Sequence, residues 1–187
     1  RTLETATRSN PEVLTVAGGQ HFTVTAQESL DAYPEIDVIV RGEGEQTLAE
    51  LVKRAAKRSS LPKIRGISFT HNREVHHNPP RPLIKNLDAL PYPGYHFVED
   101  VVHKYHFTAM GGPKTPYALV EGSRGCSHRC TFCTQWRHWQ GKWRTKSPER
   151  IAEEIELCYK NYGSRFISPC RGGKDGHALQ PRPLRHL

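Results

Sequence analysis

Apolar positions fall into short runs near the start of the chain and are spaced by three and four in a later stretch. Residues 12–19, EVLTVAGG, predict a short buried strand that ends in a glycine turn. Residues 25–33, TAQESLDAY, suit a short helix, and Ile36, Val38, Ile39 and Val40 mark the clearest strand. Leu48, Leu51, Val52 and Ala55 then recur at helical spacing and predict one buried helix face. Strand, helix, strand, helix in this order predicts a parallel α/β sheet, because a parallel return needs a crossover helix. Residues 63–77 read as a β-hairpin turning at His71, Asn72 and Arg73. The proline-rich run 78–97 reads as a linker crossing a surface, and a domain boundary is expected there.

A second region opens with a strand over residues 117–121. Residues 147–163 carry the full set of helix signals: Ser147 as N-cap, Pro148 at the first helical position and Gly163 as the stop. Ile151, Ile155, Cys158 and Tyr162 recur along one face of that helix, and residues 165–167 begin the next strand. Residues 168–187 show neither period and hold three prolines, so they are read as an irregular tail. The domains expected are therefore 1–62, a hairpin and linker over 63–115, 116–167, and the tail 168–187.

Composition narrows the function classes. The chain has 187 residues, 36% hydrophobic and 25% charged, and no apolar run approaches the roughly 18 residues of a membrane span. Five cysteines, all at or after Cys126, do not make a secreted disulfide framework, so a reducing, cytoplasmic setting is expected. The net charge of +8 permits an anionic partner. It is uneven: residues 122–148 hold six Lys or Arg, no acidic residue, and all three tryptophans, Trp136, Trp139 and Trp143. Their spacing would place the tryptophans on one side of a helical turn, for packing near a metal centre with basic residues offsetting its charge, or for stacking on nucleic acid. The scattered histidines, His21, His71, His76, His77, His96, His103 and His106, are read as surface or packing residues.

The chemistry centres on GSRGCSHRCTFC, where Cys126, Cys130 and Cys133 stand in the spacing C-x3-C-x2-C between a predicted strand and a predicted helix. Three thiolates can hold three irons of a cubane cluster, whereas a closed electron-transfer cluster takes four. One iron would stay open to a small molecule. A zinc site is the alternative, with His128, His138, Cys158 or Cys170 completing the ligand set, but no second well-spaced pair exists.

With Phe132 just before the third cysteine, this loop resembles that of the radical S-adenosylmethionine (SAM) enzymes. The resemblance implies a 4Fe–4S cluster on Cys126, Cys130 and Cys133, with S-adenosylmethionine chelated at the open iron near Phe132 and cleaved reductively to a 5′-deoxyadenosyl radical. Upstream, VAGGQHFT, YPEIDVIVRGEGEQTLAEL and NLDALPYP resemble the cobalamin-binding subclass. There a doubly wound, Rossmann-like domain precedes a (β/α) TIM-type barrel, and a Gly-Gly matching Gly18 and Gly19 lies along the nucleotide tail of cobalamin. Missing side chains let backbone approach a bulky ligand. The stretch CTQWRHWQGKWR is most similar to the branch that contains the anaerobic magnesium-protoporphyrin monomethyl ester cyclase.

What the resemblance implies is the end of a cobalamin-binding domain followed by the start of a radical SAM barrel. The function expected is methyl transfer or radical cyclisation at an unreactive carbon of a small molecule. An electron donor such as flavodoxin or ferredoxin is the implied partner; nucleic acid is not. A tRNA-modifying radical enzyme and a zinc-stabilised nucleic-acid-binding module are the alternatives. The family's early Asp-x-His-x-x-Gly segment and its later barrel units have no counterpart, so the chain reads as a fragment. On its own it is expected to bind cobalamin weakly and to be inactive in multiple turnover.

Overall fold

Val38, Ile39 and Val40 are buried in succession, which a strand manages only when both faces of its sheet are covered. The structure, a computed structural model, describes residues 2–54, 58–108 and 114–170, with backbone alone at 58–59, 107–108 and 166–170. It forms two compact units. The first takes Arg1–Ile84 and Cys130–Gln140; the second takes Lys85–Arg129 and the described residues from Gly141 on.

The first unit holds α1 (Thr2–Ser9), β1 (Val16–Gly18), α2 (Gln20–Val24), α3 (Ala26–Ala32), β2 (Val38–Val40), α4 (Gly44–Arg54), β3 (Ile67–His71) and β4 (Glu74–His77). The strands lie in the order β1-β2-β3-β4. β1 and β2 are parallel, as the spacing predicts; β3 and β4 extend the sheet antiparallel. The hairpin grouped with the linker from sequence is thus paired to β2, Val38 opposite Phe69 and Val40 opposite Ile67. Its turn residues Asn72 and Arg73 have φ of 51° and 67°, the left-handed pair that a two-residue hairpin turn requires.

Alternation along β2 sends Val38 and Val40 to one face and Ile39 to the other. Val38 and Val40 pack with Leu51, Leu61, Ile64, Ile67 and Phe69. Ile39 packs with Ala26, Leu30 and Ile36, and Leu3, Ala17 and Phe22 lie against them. Helices therefore cover both faces, the doubly wound arrangement. Full burial of a side chain such as Ile39 or Leu51 stabilises by about 1.5–3 kcal/mol.

The predicted face of α4 is corrected by the structure. Thr47 and Leu51 are buried, while Leu48 is 46% and Val52 68% exposed; Ala55 lies outside the described residues. The reason is the returning chain. Arg81 Nε donates to Thr47 Oγ1 at 2.8 Å and its guanidinium pairs with Glu50, so a polar threonine takes the inner position. Residues 78–84 are likewise held to this unit rather than crossing free. Asn78 Nδ2 donates to Leu61 O and Ile64 O, Arg41 Nη2 to the carbonyls of Ile67 and Asn78, and Ile84 N to Glu43 Oε2 at 2.6 Å.

The second unit begins with α5 (Glu99–Val102), β5 (His106–Thr108), β6 (Lys114–Glu121) and β7 (Ser123–Arg124). After the first unit's α6 (Gln135–His138) come β8 (Arg144–Thr145), α7 (Pro148–Tyr162) and β9 (Phe166–Cys170). β9 pairs parallel with β6, Tyr117 opposite Phe166 and Glu121 opposite Cys170, with α7 as the crossover. β5 flanks β6 antiparallel, and β7 and β8 make a separate ribbon. The strand expected to stop at Ile167 runs on to Cys170, since backbone pairing with β6 supplies what side-chain periodicity lacked. Residues 171–187 of the predicted tail lie outside the described residues.

α7 has its predicted bounds. Ser147 Oγ accepts from Arg150 N at 3.1 Å, and Gly163 ends the helix at φ 62°. Its inner face packs Cys158, Ile151 and Ile155 on Ala118 and Val120 of β6.

Candidate cluster loop and glycine turns

The β7–β8 ribbon carries the foot of the cysteine loop. Lys146 N donates to Gly122 O at 3.0 Å, closing the ribbon. Lys146 is 6% exposed and Glu154 1%, and Lys146 Nζ donates to both Glu154 carboxylate oxygens at 2.7 Å. Arg150 Nε reaches the same carboxylate at 3.1 Å, and its Nη2 donates to Leu90 O at 2.7 Å. The Arg150 guanidinium also lies over the Tyr92 ring, 3.5 Å from the centroid. Asp88 Oδ1 accepts from Ser147 N at 2.9 Å. Residues 88–92, expected to cross a surface, are thereby fixed to the start of α7. Sequence reasoning missed this network. The available signal was Glu154, an acid placed between the apolar positions Ile151 and Ile155.

Gly125, buried with φ 98°, turns the chain into the loop. Cys126 in the second unit is half-buried; in the first unit Cys130 is exposed and Cys133 half-buried. All three are free thiols. Cys130 and Cys133 share one turn, Cys133 N donating to Cys130 O at 3.1 Å. Phe132 between them is 90% exposed. Among the described residues no three His, Cys, Asp or Glu side chains are gathered as a metal-binding group. The donor chemistry nevertheless fits an iron–sulfur centre: three soft thiols and no carboxylate across residues 122–148.

The zinc alternative loses one of its candidate ligands here. Cys158 is buried against β6, and burial, helped by the Glu154 charge, pushes its thiol up to about 11. His138 is buried edge-on to Trp139. The tryptophans do not share a helix face either. α6 ends at His138, Gln140 and Gly141 take left-handed φ of 55° and 66°, and Trp143 lies beyond them, half-exposed. Trp139 Nε1 donates to Gln135 Oε1, and Arg137 lies over Trp136 at 5.3 Å.

Gly18 and Gly19 stand at the carboxyl end of β1, where open α/β sheets place their ligands. A Cβ on Gly18 would come within 3.3 Å of Val40 O, so the close strand pairing itself favours glycine. Gly19 has φ 95° and nothing within 4 Å of its Cβ direction, and Gly42, after β2, has φ 73° and the same open space. Thr23 joins the two turns: its Oγ1 donates to Gly19 O at 2.7 Å and accepts from Gly42 N at 3.0 Å. Thr23 was not singled out from sequence, for nothing local marks it. In the same unit Gln135 Nε2 donates to Gln20 Oε1 at 2.9 Å, setting α6 against α2.

Residues 1–52 match the B12 binding domain family and residues 120–168 the radical SAM superfamily. The chain belongs to the B12-binding radical SAM proteins. It is 39% identical to an uncharacterized methyltransferase of Pyrococcus horikoshii over 84% of this chain and 33% of that protein. It is 33% identical to the anaerobic magnesium-protoporphyrin IX monomethyl ester cyclase of a Synechocystis strain, over 84% of this chain and 30% of that one. The chain thus spans about a third of the length of these relatives. The fold of this radical SAM chain is shared with the cobalamin-dependent S-adenosylmethionine radical enzyme OxsB, solved with aqua-cobalamin bound. The TM-score is 0.64 at 24% identity, over 88% of this chain and 22% of that one. No helix among the described residues is long and apolar enough to cross a membrane.

Proposed function

We propose that this radical SAM chain is the cofactor-bearing part of an enzyme that transfers a methyl group to, or closes a ring at, an unreactive carbon of a small molecule. The observation that supports this most is the company kept within the first unit. The segment carrying Cys130 and Cys133 leads into α6, which is hydrogen-bonded to the helix that begins just after Gly18 and Gly19. When bound, the cluster and cobalamin would supply one-electron cleavage of S-adenosylmethionine and a cobalt-centred methyl carrier. The chain's own residues do the holding. Cys126, Cys130 and Cys133 would hold the cluster, giving up their protons to ligate iron as thiolates. Phe132 would offer its exposed ring to the adenosyl group, and Gly18 and Gly19, braced by Thr23, would leave backbone open to the cobalamin tail.

In this reading residues 1–62 serve cobalamin and 116–167 the cluster. The electron comes from a low-potential flavodoxin or ferredoxin, whose acidic surface suits the basic stretch 122–148. Free thiols at all three positions suit a reducing, cytoplasmic setting. Anaerobic reconstitution with iron and sulfide tests the reading. Four irons and four sulfides per chain are expected, lost on Cys130→Ala and kept on Cys158→Ala. Stoichiometric zinc with no sulfide, or iron that survives Cys130→Ala, would sink it.

A further inference from the structure

α2 and α6 are five and four residues long, well short of the roughly 12–15 residues at which an isolated helix begins to hold in water. Each is therefore kept in place by what it bonds to outside itself. On one side α2 is tied to the two glycine turns, since Thr23 Oγ1 donates to Gly19 O and accepts from Gly42 N. On the other side its first residue, Gln20, accepts from Nε2 of Gln135, the first residue of α6, at 2.9 Å. The amide of Gln135 is oriented by Trp139, the residue that caps α6. An indole N–H can only donate, so Trp139 Nε1, 2.7 Å away, holds the carbonyl end of that amide and leaves its NH2 end for Gln20. Cys133 stands two residues before Gln135, in the turn it shares with Cys130. One side-chain amide thus joins the cysteine turn to the helix that braces Gly19 and Gly42.

We infer that Gln135 is a positioning residue that makes the glycine turns answer to the state of the cysteine turn. The inference rests on the cluster reading above. Once Cys130 and Cys133 ligate iron, their turn loses freedom, and so does the start of α6 two residues on. The Gln135–Gln20 bond then forms at a smaller entropic cost, and α2 with its two glycine turns is ordered before any ligand arrives. Backbone ordered in advance binds a bulky ligand more tightly, because less ordering is left for the binding step. Linkage makes the effect mutual: a ligand seated on the glycine turns favours the ligated cysteine turn by the same factor.

The test is amide hydrogen–deuterium exchange of the full chain before and after anaerobic reconstitution with iron and sulfide. Thr23 N donates to Gly19 O, Thr25 N to His21 O and Gly42 N to Thr23 Oγ1, so these three amides report order in α2 and the turns. Their exchange should slow about fivefold on reconstitution, the factor that corresponds to one ordinary hydrogen bond. In Gln20→Ala and Gln135→Leu, reconstituted to the parental iron content, the slowing should vanish. Gln135→Glu still offers one acceptor to Trp139 and another to a Gln20 amide turned end for end, so it should keep the response. A merely structural role for Gln135 would shift exchange equally with and without iron. Iron and sulfide counts separate the two levels of the reading. A parent chain that holds no cluster overturns the cluster assignment and this inference with it. A parent that holds the cluster with unchanged exchange at these amides, or a Gln20→Ala variant that slows as much as the parent, overturns this inference alone. If Gln135→Leu does not retain the cluster, Gln20→Ala decides, its side chain being exposed.

Discussion

Glu43 in the first unit and Glu154 in the second are both buried carboxylates, 8% and 1% exposed, and the bonds they accept from Ile84 and from Lys146 differ in kind. Glu43 accepts a main-chain N–H, that of Ile84, and so pins the returning chain to the end of β2. Glu154 accepts from two cations, Lys146 and Arg150, one leaving the ribbon and one on its own helix. An amide oxygen in place of the Glu43 carboxylate can still accept the Ile84 N–H. Removing the Glu154 carboxylate strands a buried ammonium. The first unit's sheet is also covered on both faces by apolar side chains, whereas the described core of the second is a small cluster around Ala118, Val120 and Cys158. The second unit therefore leans more heavily on its ion network.

The largest expected effect follows from that contrast. Glu154→Leu should destabilise the second unit by about 3–5 kcal/mol, the cost of leaving one partner of a buried pair behind. Urea unfolding monitored by tryptophan fluorescence measures it. Lys146→Met added to Glu154→Leu should recover much of the loss; a double variant as unstable as the single would show that the stranded charge is not the cause.

Next comes pH. Cys158 has its thiol raised from 9.0 to about 11, first by burial and then by the Glu154 charge. A raised folded value means that the fold prefers the protonated form. That contribution is complete below pH 9, and it falls away as the unfolded chain ionises between pH 9 and about 11. The urea midpoint should drop over that window, and Cys158→Ala should flatten the drop. An equal alkaline drop in the alanine variant would reassign it to other groups.

Glu43→Gln should be milder, about 1 kcal/mol, for it weakens a charge-assisted bond while keeping an acceptor for Ile84 N. Ser147→Ala, which removes the N-cap of α7, belongs in the same range of about 1 kcal/mol. A Glu43→Gln loss as large as that of Glu154→Leu would show that more than the Ile84 N–H depends on the Glu43 charge. The smallest effect is expected at Leu48, predicted as core but exposed: Leu48→Ser should stay within about 0.5 kcal/mol, against about 2–5 kcal/mol for Leu51→Ala. Thermal melts of the pair settle which face α4 buries.

Several features are legible in the amino-acid order because their causes are local. Ser147, Pro148 and Gly163 set the ends of α7 through an unpaired N–H, a ring-fixed φ and a left-handed φ, and α7 has those ends. The hairpin turn at Asn72 and Arg73 is readable for the same reason. The joining of a B12-binding segment to a radical SAM segment is visible in the order of VAGG, RGEGE and C-x3-C-x2-C. What misleads is periodicity read without its neighbours. Leu48 and Val52 fit a helical stripe, but Arg81 arrives from outside that window and selects Thr47. The tryptophan spacing assumes a helix that in fact stops at His138, and the end of β9 has no side-chain period at all.

By itself, then, the amino-acid order determined the C-x3-C-x2-C spacing of the thiols, the ends of α7 and the family, since each depends on residue type and short spacing. Only tertiary structure decided that the hairpin extends the first sheet, that Thr23 ties the glycine turns at 19 and 42, and that Lys146 and Glu154 neutralise each other in the interior. It also decided that Arg124 faces Arg144. Each of these joins residues whose proximity no local rule dictates. Their energies depend on burial and on the partner's charge, quantities that exist only once the distant segment has arrived.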